Sequence, residues 1–196
     1  MPFESVYLAR HSQTEWNTTG RRQGRLDSPL TQLGLRQAHQ NAALLRPHPI
    51  DAIFTSPLPR ARRTAEILAT AIGLPVHRLE DLAEVDHGEW SGLTSAEIDT
   101  AWPGRRAERD QTKYTFTFPG GESYAAADLR AERALKLVAH AGSRHPLLVS
   151  HEMIGRMLAK QLVGLTPAEA LARHQPSDVV YVVRPDGTIN VLKSPE

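Results

Sequence analysis

Short apolar runs alternate with amphipathic stretches along most of this chain. Val6-Tyr7-Leu8-Ala9 is apolar at four consecutive positions, too short for a helix and without the alternation of a half-exposed strand. It predicts a strand buried on both faces, ending at Arg10-His11. Thr31 precedes a stretch with Leu35, Ala38, Ala42 and Leu45 on one helical face, closed by Pro47 and Pro49. Ala52-Ile53-Phe54-Thr55 is a second short strand, and Pro57 and Pro59 stand where a helix begins. That helix carries Ala61, Ala65, Leu68 and Ile72 as far as Gly73. After Pro119-Gly120-Gly121, a long helix places Tyr124, Ala127, Ala131, Ala134, Leu135 and Val138 at helical spacing and stops near Gly142. Leu147-Leu148-Val149 is a third buried strand, followed at once by Ser150-His151 and another helix. Residues 179–183 and 188–192 flank Pro185-Asp186-Gly187 as a hairpin.

Residues 93–119 break the pattern. Pro103-Gly104, Arg105-Arg106 and the aromatic trio Tyr114, Phe116 and Phe118 suggest a lid or insertion rather than a core element. The rest predicts one α/β domain over residues 1–196, with three layers: a mainly parallel central sheet and helices on both faces. Ligands bind such sheets beyond the carboxyl ends of the strands. Arg10-His11, Ser56 and Ser150-His151 all follow predicted strands, so three segments direct polar ends at one place.

Composition narrows the function. The 196 residues are 40% hydrophobic and 23% charged with a net charge of +1, which argues against a general polyanion binder. No basic run is interleaved with aromatics, so a nucleic-acid partner is not expected. The absence of cysteine removes disulfides, thiolate nucleophiles and cysteine-based metal sites together. No stretch approaches the roughly 20 apolar residues of a membrane span, and none reads as a signal peptide. A cytoplasmic protein with no membrane partner is expected.

The strand ends suit phosphoryl transfer. A neutral imidazole can attack phosphorus and carry the phosphoryl group covalently, and neighbouring guanidinium groups disfavour its protonated form. Arg10 supplies such a charge beside His11 and offers a planar fork to phosphate oxygens. Charge on the equatorial oxygens calls for a second arginine and a second histidine, which Arg60 and His151 can provide at helix starts. The leaving alkoxide needs a proton, and a carboxyl group near phosphate is kept protonated by the neighbouring negative charge. Glu84 is the candidate acid, with Glu80, Asp81, Asp86 and Glu89 close to it in sequence. The arrangement requires neither a metal nor another cofactor. Arg62 and Arg63 read as surface, Trp90 as packing, and His39, His48, His77, His140, His145 and His174 carry no partner spacing.

Arg10-His11-Ser12-Gln13-Thr14 resembles the Arg-His-Gly-x-Thr signature of the histidine phosphatase superfamily, in its phosphoglycerate-mutase-like branch. Ser12 replaces the usual glycine. The similarity continues through Asn17, Gln23-Gly24-Arg25-Leu26-Asp27-Ser28-Pro29-Leu30-Thr31 and Ser56-Pro57-Leu58-Pro59-Arg60-Ala61. It runs on through Glu84, Gly88-Glu89-Trp90-Ser91-Gly92, Pro119-Gly120-Gly121-Glu122-Ser123 and Arg130 to Val149-Ser150-His151, where Glu152 departs from a frequent glycine. The resemblance implies a nucleophilic His11, a phosphate clamp of Arg10, Arg60 and His151, and Glu84 as general acid. It adds Asn17 as a phosphate contact and Gln23 near the substrate mouth. Arg105 and Arg106 would bind a substrate carboxylate, as an adjacent arginine pair does in the mutases, and Lys113 and Tyr114 would help set the substrate.

A metal-independent phosphatase acting on a small-molecule phosphate ester is the resulting expectation, because residues 93–119 are shorter than the mutases' insertion. A phosphoglycerate mutase is the alternative. A non-catalytic phospho-ligand module ranks behind both, since binding alone needs neither a nucleophile nor an acid. A homodimer is left open.

Overall fold

The two-sided burial expected of the first strand sets the architecture. In the computed structural model, which describes residues 2–193, β1 (Val6–Arg10) directs Val6 and Leu8 to one layer of core and Tyr7 and Ala9 to the other. It lies in a six-stranded sheet with β2 (Ala52–Thr55), β3 (Val76–Arg78), β4 (Pro146–Ser150), β5 (Val179–Val183) and β6 (Ile189–Lys193), in the order β3-β2-β4-β1-β5-β6. β1 to β4 run parallel, while β5 pairs antiparallel with both β1 and β6. Such an arrangement needs helical cover on both faces. α2 (Gln32–Leu45) and α3 (Pro59–Ile72) pack together on one, and α6 (Tyr124–His140) and α7 (Glu152–Val163) on the other.

Local chemistry fixes the ends of these helices. Thr31 caps α2, its hydroxyl accepting from the Gly34 N–H at 2.9 Å. Leu35, expected on the buried face of α2, is only half-buried, and Gly34 and Asn41 join Ala38, Ala42 and Leu45 there instead. Ser123 caps α6 in the same way, which gives the Gly121-Glu122-Ser123 segment its role. β3 carries no signature in the sequence because it is a three-residue edge strand whose His77 and Arg78 face solvent.

Residues 93–119 form two short helices, α4 (Ser95–Ala101) and α5 (Arg105–Gln111), and a return segment. The aromatic residues there are not lid surface, contrary to the sequence expectation. Phe116 and Phe118 are buried against Trp90, with ring centroids 5.6 and 5.4 Å away, and Ile98 joins the same core. Tyr114 donates to Asp128 of α6 at 2.7 Å. The stretch is tied to the core through its return segment. No helix among the described residues is long and apolar enough to cross a membrane.

Candidate active site

His11 leaves the end of β1, next to the end of β4, and its backbone N–H donates to the Ser150 carbonyl at 2.9 Å. Its Nδ1 lies 2.8 Å from the Ser12 carbonyl oxygen. A carbonyl only accepts, so Nδ1 carries the ring proton and Nε2 keeps its lone pair. Burial, then Arg60 and Arg10, hold the His11 pKa well below the usual histidine value. The imidazole is therefore neutral and able to attack.

His151 follows β4 and packs its ring 5.1 Å from that of His11. Its Nε2 lies 2.7 Å from Ser56 Oγ, which itself accepts from the Leu58 N–H at 3.2 Å. His151 Nδ1 is a buried atom without a partner, and with the Ser56 hydroxyl donating to Nε2 it carries the ring proton. Burial, Arg60 and His11 lower its pKa well below the usual value too.

Arg60 stands in the first turn of α3 with 2% of its surface exposed. Its Nη atoms donate to the carbonyls of Leu26 and Gly24 at 2.6 and 2.8 Å, so the loop after Gln23 holds this guanidinium in place. Gly24 is required there: its φ is 51°, and a Cβ would lie 2.7 Å from Ser91 Oγ. Arg10 donates through Nη1 to the Gln175 carbonyl at 3.1 Å and pairs with Glu152 at 2.9 Å.

Glu84 reaches across to the start of α7. Its carboxylate accepts from the N–H groups of Val85, Ile154 and Met153 at 2.9, 3.1 and 3.2 Å. The backbone behind it is clamped by Arg130, which donates to the carbonyls of Asp81 and Ala83 at 2.7 Å each and pairs with Glu122 at 2.8 Å. Asn17, in α1 (Glu15–Thr18), accepts from Thr14 through Oδ1, which leaves its amide hydrogens for the cleft it lines. Gln23 also lines the cleft, with Oε1 buried and unpartnered.

These side chains surround a cleft of about 250 Å³ at the carboxyl ends of β1 and β4. Arg10, Arg60, His11, Glu84, Asn17 and Gln23 line it, with His151 directly behind His11. Arg105 and Arg106, expected from sequence at the substrate carboxylate, do not line it. They lie in the first turn of α5 and are held by nearby acids, Glu108 and Asp99, each at 2.5 Å. One turn later Arg109 does reach the cleft, as does Lys113 beyond the helix.

Sequence reasoning also missed Arg21, Arg22, His87, Tyr124 and Arg156 as cleft residues. Only the Arg21-Arg22 pair just before Gln23 offered a signal. Seven basic side chains face two carboxylates in this one cleft, although the whole chain is nearly neutral. His87 is held neutral by burial and by Arg22 and Arg109, its pKa lowered to about 3. Glu152 binds Arg156 at 2.5 Å and His174, which the sequence left without a role, at 2.6 Å. Arg63 pairs with Glu66 on the surface, away from the cleft. Among the described residues no group of three or more histidine, aspartate or glutamate side chains is placed to hold a metal ion.

A profile of the histidine phosphatase superfamily, branch 1, matches residues 6–195. The chain belongs to that superfamily. A protein of Yersinia pestis named probable phosphoglycerate mutase GpmB is 40% identical over 173 residues, which span 86% of this chain and 78% of that one. Among solved structures, a mycobacterial glucosyl-3-phosphoglycerate phosphatase with VO3 superimposes with a TM-score of 0.83 at 29% identity, over 98% of each chain. The α-ribazole phosphatase of Shigella flexneri gives 0.85 at 25% identity, over 97% and 96%. This superfamily member thus shares a fold with phosphatases and stands near a protein named as a mutase. Its own departures from the common motif, Ser12 and Glu152, leave the cleft intact: Ser12 donates its N–H to Thr64 at 3.1 Å, and Glu152 ties together cations of the cleft wall.

Proposed function

We propose that this protein is a metal-independent phosphatase that hydrolyses a small-molecule phosphomonoester through a phosphohistidine on His11. One observation carries the proposal: the Ser12 carbonyl holds the His11 proton on Nδ1, so that Nε2 faces a cation-lined cleft with its lone pair free. In the first step Nε2 attacks phosphorus, the P–O ester bond breaks, and Glu84 gives a proton to the departing oxygen. Arg10, Arg60 and the His151 Nδ1–H neutralise the equatorial oxygens, with Asn17 as a further donor. In the second step water attacks phosphorus, Glu84 takes its proton, the N–P bond breaks, and orthophosphate leaves. The charge stabilisation that a metal would supply comes from guanidinium and imidazole groups. We take residues 1–196 as one domain with 93–119 as its cap, and place the protein in the cytoplasm.

A mutase would use the same intermediate but keep water away from it. The named mutase relative favours that alternative, whereas the short cap favours hydrolysis. A pure binding module has no use for the free Nε2 of His11 or for Glu84.

The test uses p-nitrophenyl phosphate and, separately, 3-phosphoglycerate with trace 2,3-bisphosphoglycerate, each with and without EDTA. Phosphate release that survives EDTA and is absent from His11→Ala is the expected result. Isomerisation without net release would establish the mutase instead. Binding without turnover of either compound would point to the non-catalytic module.

A further inference from the structure

Arg10 uses the nitrogens of its guanidinium unequally. Nη1 makes both of its contacts, with the Gln175 carbonyl at 3.1 Å and the Glu152 carboxylate at 2.9 Å. Nε is buried without a partner, and Nη2 makes no hydrogen bond among the described residues. Those two nitrogens share the edge of the guanidinium that grips a phosphate through two parallel hydrogen bonds. A buried donor without an acceptor is unfavourable, and a phosphate oxygen in the cleft would supply one.

The groups behind Nη1 are themselves held. The Gln175 side chain is buried and donates to the carbonyls of Leu8 in β1 and Val179 in β5 at 2.7 and 3.3 Å. Glu152 opens α7 directly after His151, and its Oε1 accepts from Arg156 at 2.5 Å and lies 2.6 Å from His174 Nδ1. Arg156 also donates to the Leu171 carbonyl of α8 (Pro167–Ala172) at 2.6 Å, and the Tyr181 hydroxyl of β5 donates to the His174 carbonyl at 2.7 Å. Burial opposes ionisation of Glu152, but Arg10, His174 and Arg156 together hold its carboxyl below the ordinary carboxylate range. The carboxylate is thus charged and fixed from α7, α8 and β5 at once.

A carboxylate beside a phosphate clamp could compete with the substrate for Arg10. The division of atoms speaks against competition, since Glu152 takes Nη1 alone and leaves the two-donor edge open. We infer that Glu152 is a positioning residue: it aligns the Nε–Nη2 edge of Arg10 with the phosphoryl oxygens and touches no substrate atom itself. The inference rests on the phosphatase reading, in which Arg10 neutralises those oxygens.

A double-mutant cycle tests this, because Arg10→Lys keeps the charge but has no planar edge to align. With p-nitrophenyl phosphate, Glu152→Gln is expected to lower kcat about tenfold or more in the parent protein and less than about twofold in Arg10→Lys. An equal loss in both backgrounds would mean that Glu152 acts on stability or on the field of the cleft, and would overturn the inference. So would an unchanged kcat in the parent, with or without a raised KM. His174→Ala takes over if Glu152→Gln fails to fold, because His174 is exposed and its loss frees one side of Glu152. A fall in kcat of at least about twofold that Arg10→Lys abolishes then supports the inference, and no fall or an equal one overturns it. If p-nitrophenyl phosphate is not hydrolysed, the phosphatase reading fails and the alignment is decided by titrating inorganic phosphate into the same proteins. A change in affinity on Glu152→Gln that Arg10→Lys abolishes supports it, and no change or an equal one overturns it.

Discussion

The Ser12 carbonyl fixes the proton of His11 on Nδ1, and an asparagine amide at position 11 could still donate to that carbonyl while lacking a nucleophile. His11→Asn is therefore expected to fold normally and to lose roughly 10⁴-fold or more in kcat, measured on p-nitrophenyl phosphate. Glu84 is different, because the role proposed for it depends on the leaving group. Glu84→Gln is expected to slow an alkyl phosphate by about 10²-fold or more, with a much smaller effect on p-nitrophenyl phosphate, whose phenolate departs without help. Equal slowing of both would remove Glu84 as proton donor. Its three N–H contacts also explain why sequence alone could not choose among Glu84, Glu80, Asp81, Asp86 and Glu89. Only the fold brings the start of α7 to one of them.

At the scale of elements, the segment carrying Glu84 has no regular ladder and depends on Arg130 of α6. Removing that guanidinium in Arg130→Met leaves Glu122 and two carbonyls without their donor. A loss of about 3–5 kcal/mol is expected from the urea midpoint, as for other broken buried pairs. A change below 1 kcal/mol, roughly the value of an exposed pair, would show that the clamp is dispensable. The central elements were legible in the sequence because strands buried on both faces leave continuous apolar runs, and capped helices begin at Thr31 and Ser123. β3 was not, since an exposed edge strand leaves no apolar signature. The arginines of α5 show the finer limit. An Arg105-Arg106 pair is conspicuous in sequence, but the phase of a short helix gives those two to surface acids and Arg109 to the cleft. His87 was invisible for a related reason, since its surroundings, Arg22, Arg109 and Phe118, are distant in the chain.

For the molecule as a whole, three buried histidines held neutral set the response to acid. The values of His11, His87 and His151 all lie below the ordinary 6.5 in the folded chain, chiefly through burial. Below about pH 6.5 the unfolded chain therefore binds protons that the folded chain refuses. Stability is full above that pH and falls as acid is added, by up to about 1.4 kcal/mol per pH unit for each histidine. The decline continues towards the folded values, about 3 for His87. Urea midpoints at pH 7.5, 6 and 5 measure it, and a flat profile would contradict neutral burial. α5 holds no fully buried residue, although its Arg109 lies beside His87 and donates to the Tyr124 hydroxyl, while Phe116 and Phe118 moor the return segment behind it in the core. The exposed positions of residues 105–113 can accordingly be rewritten without loosening the register of His11, Glu84 and His151, whose hydrogen-bond partners lie outside that segment. The reacting groups and the cleft residues Arg109 and Lys113 lie in separate parts of the chain, so grafting a foreign helix between Gly104 and Thr115 is a route to altered selectivity on unaltered turnover chemistry.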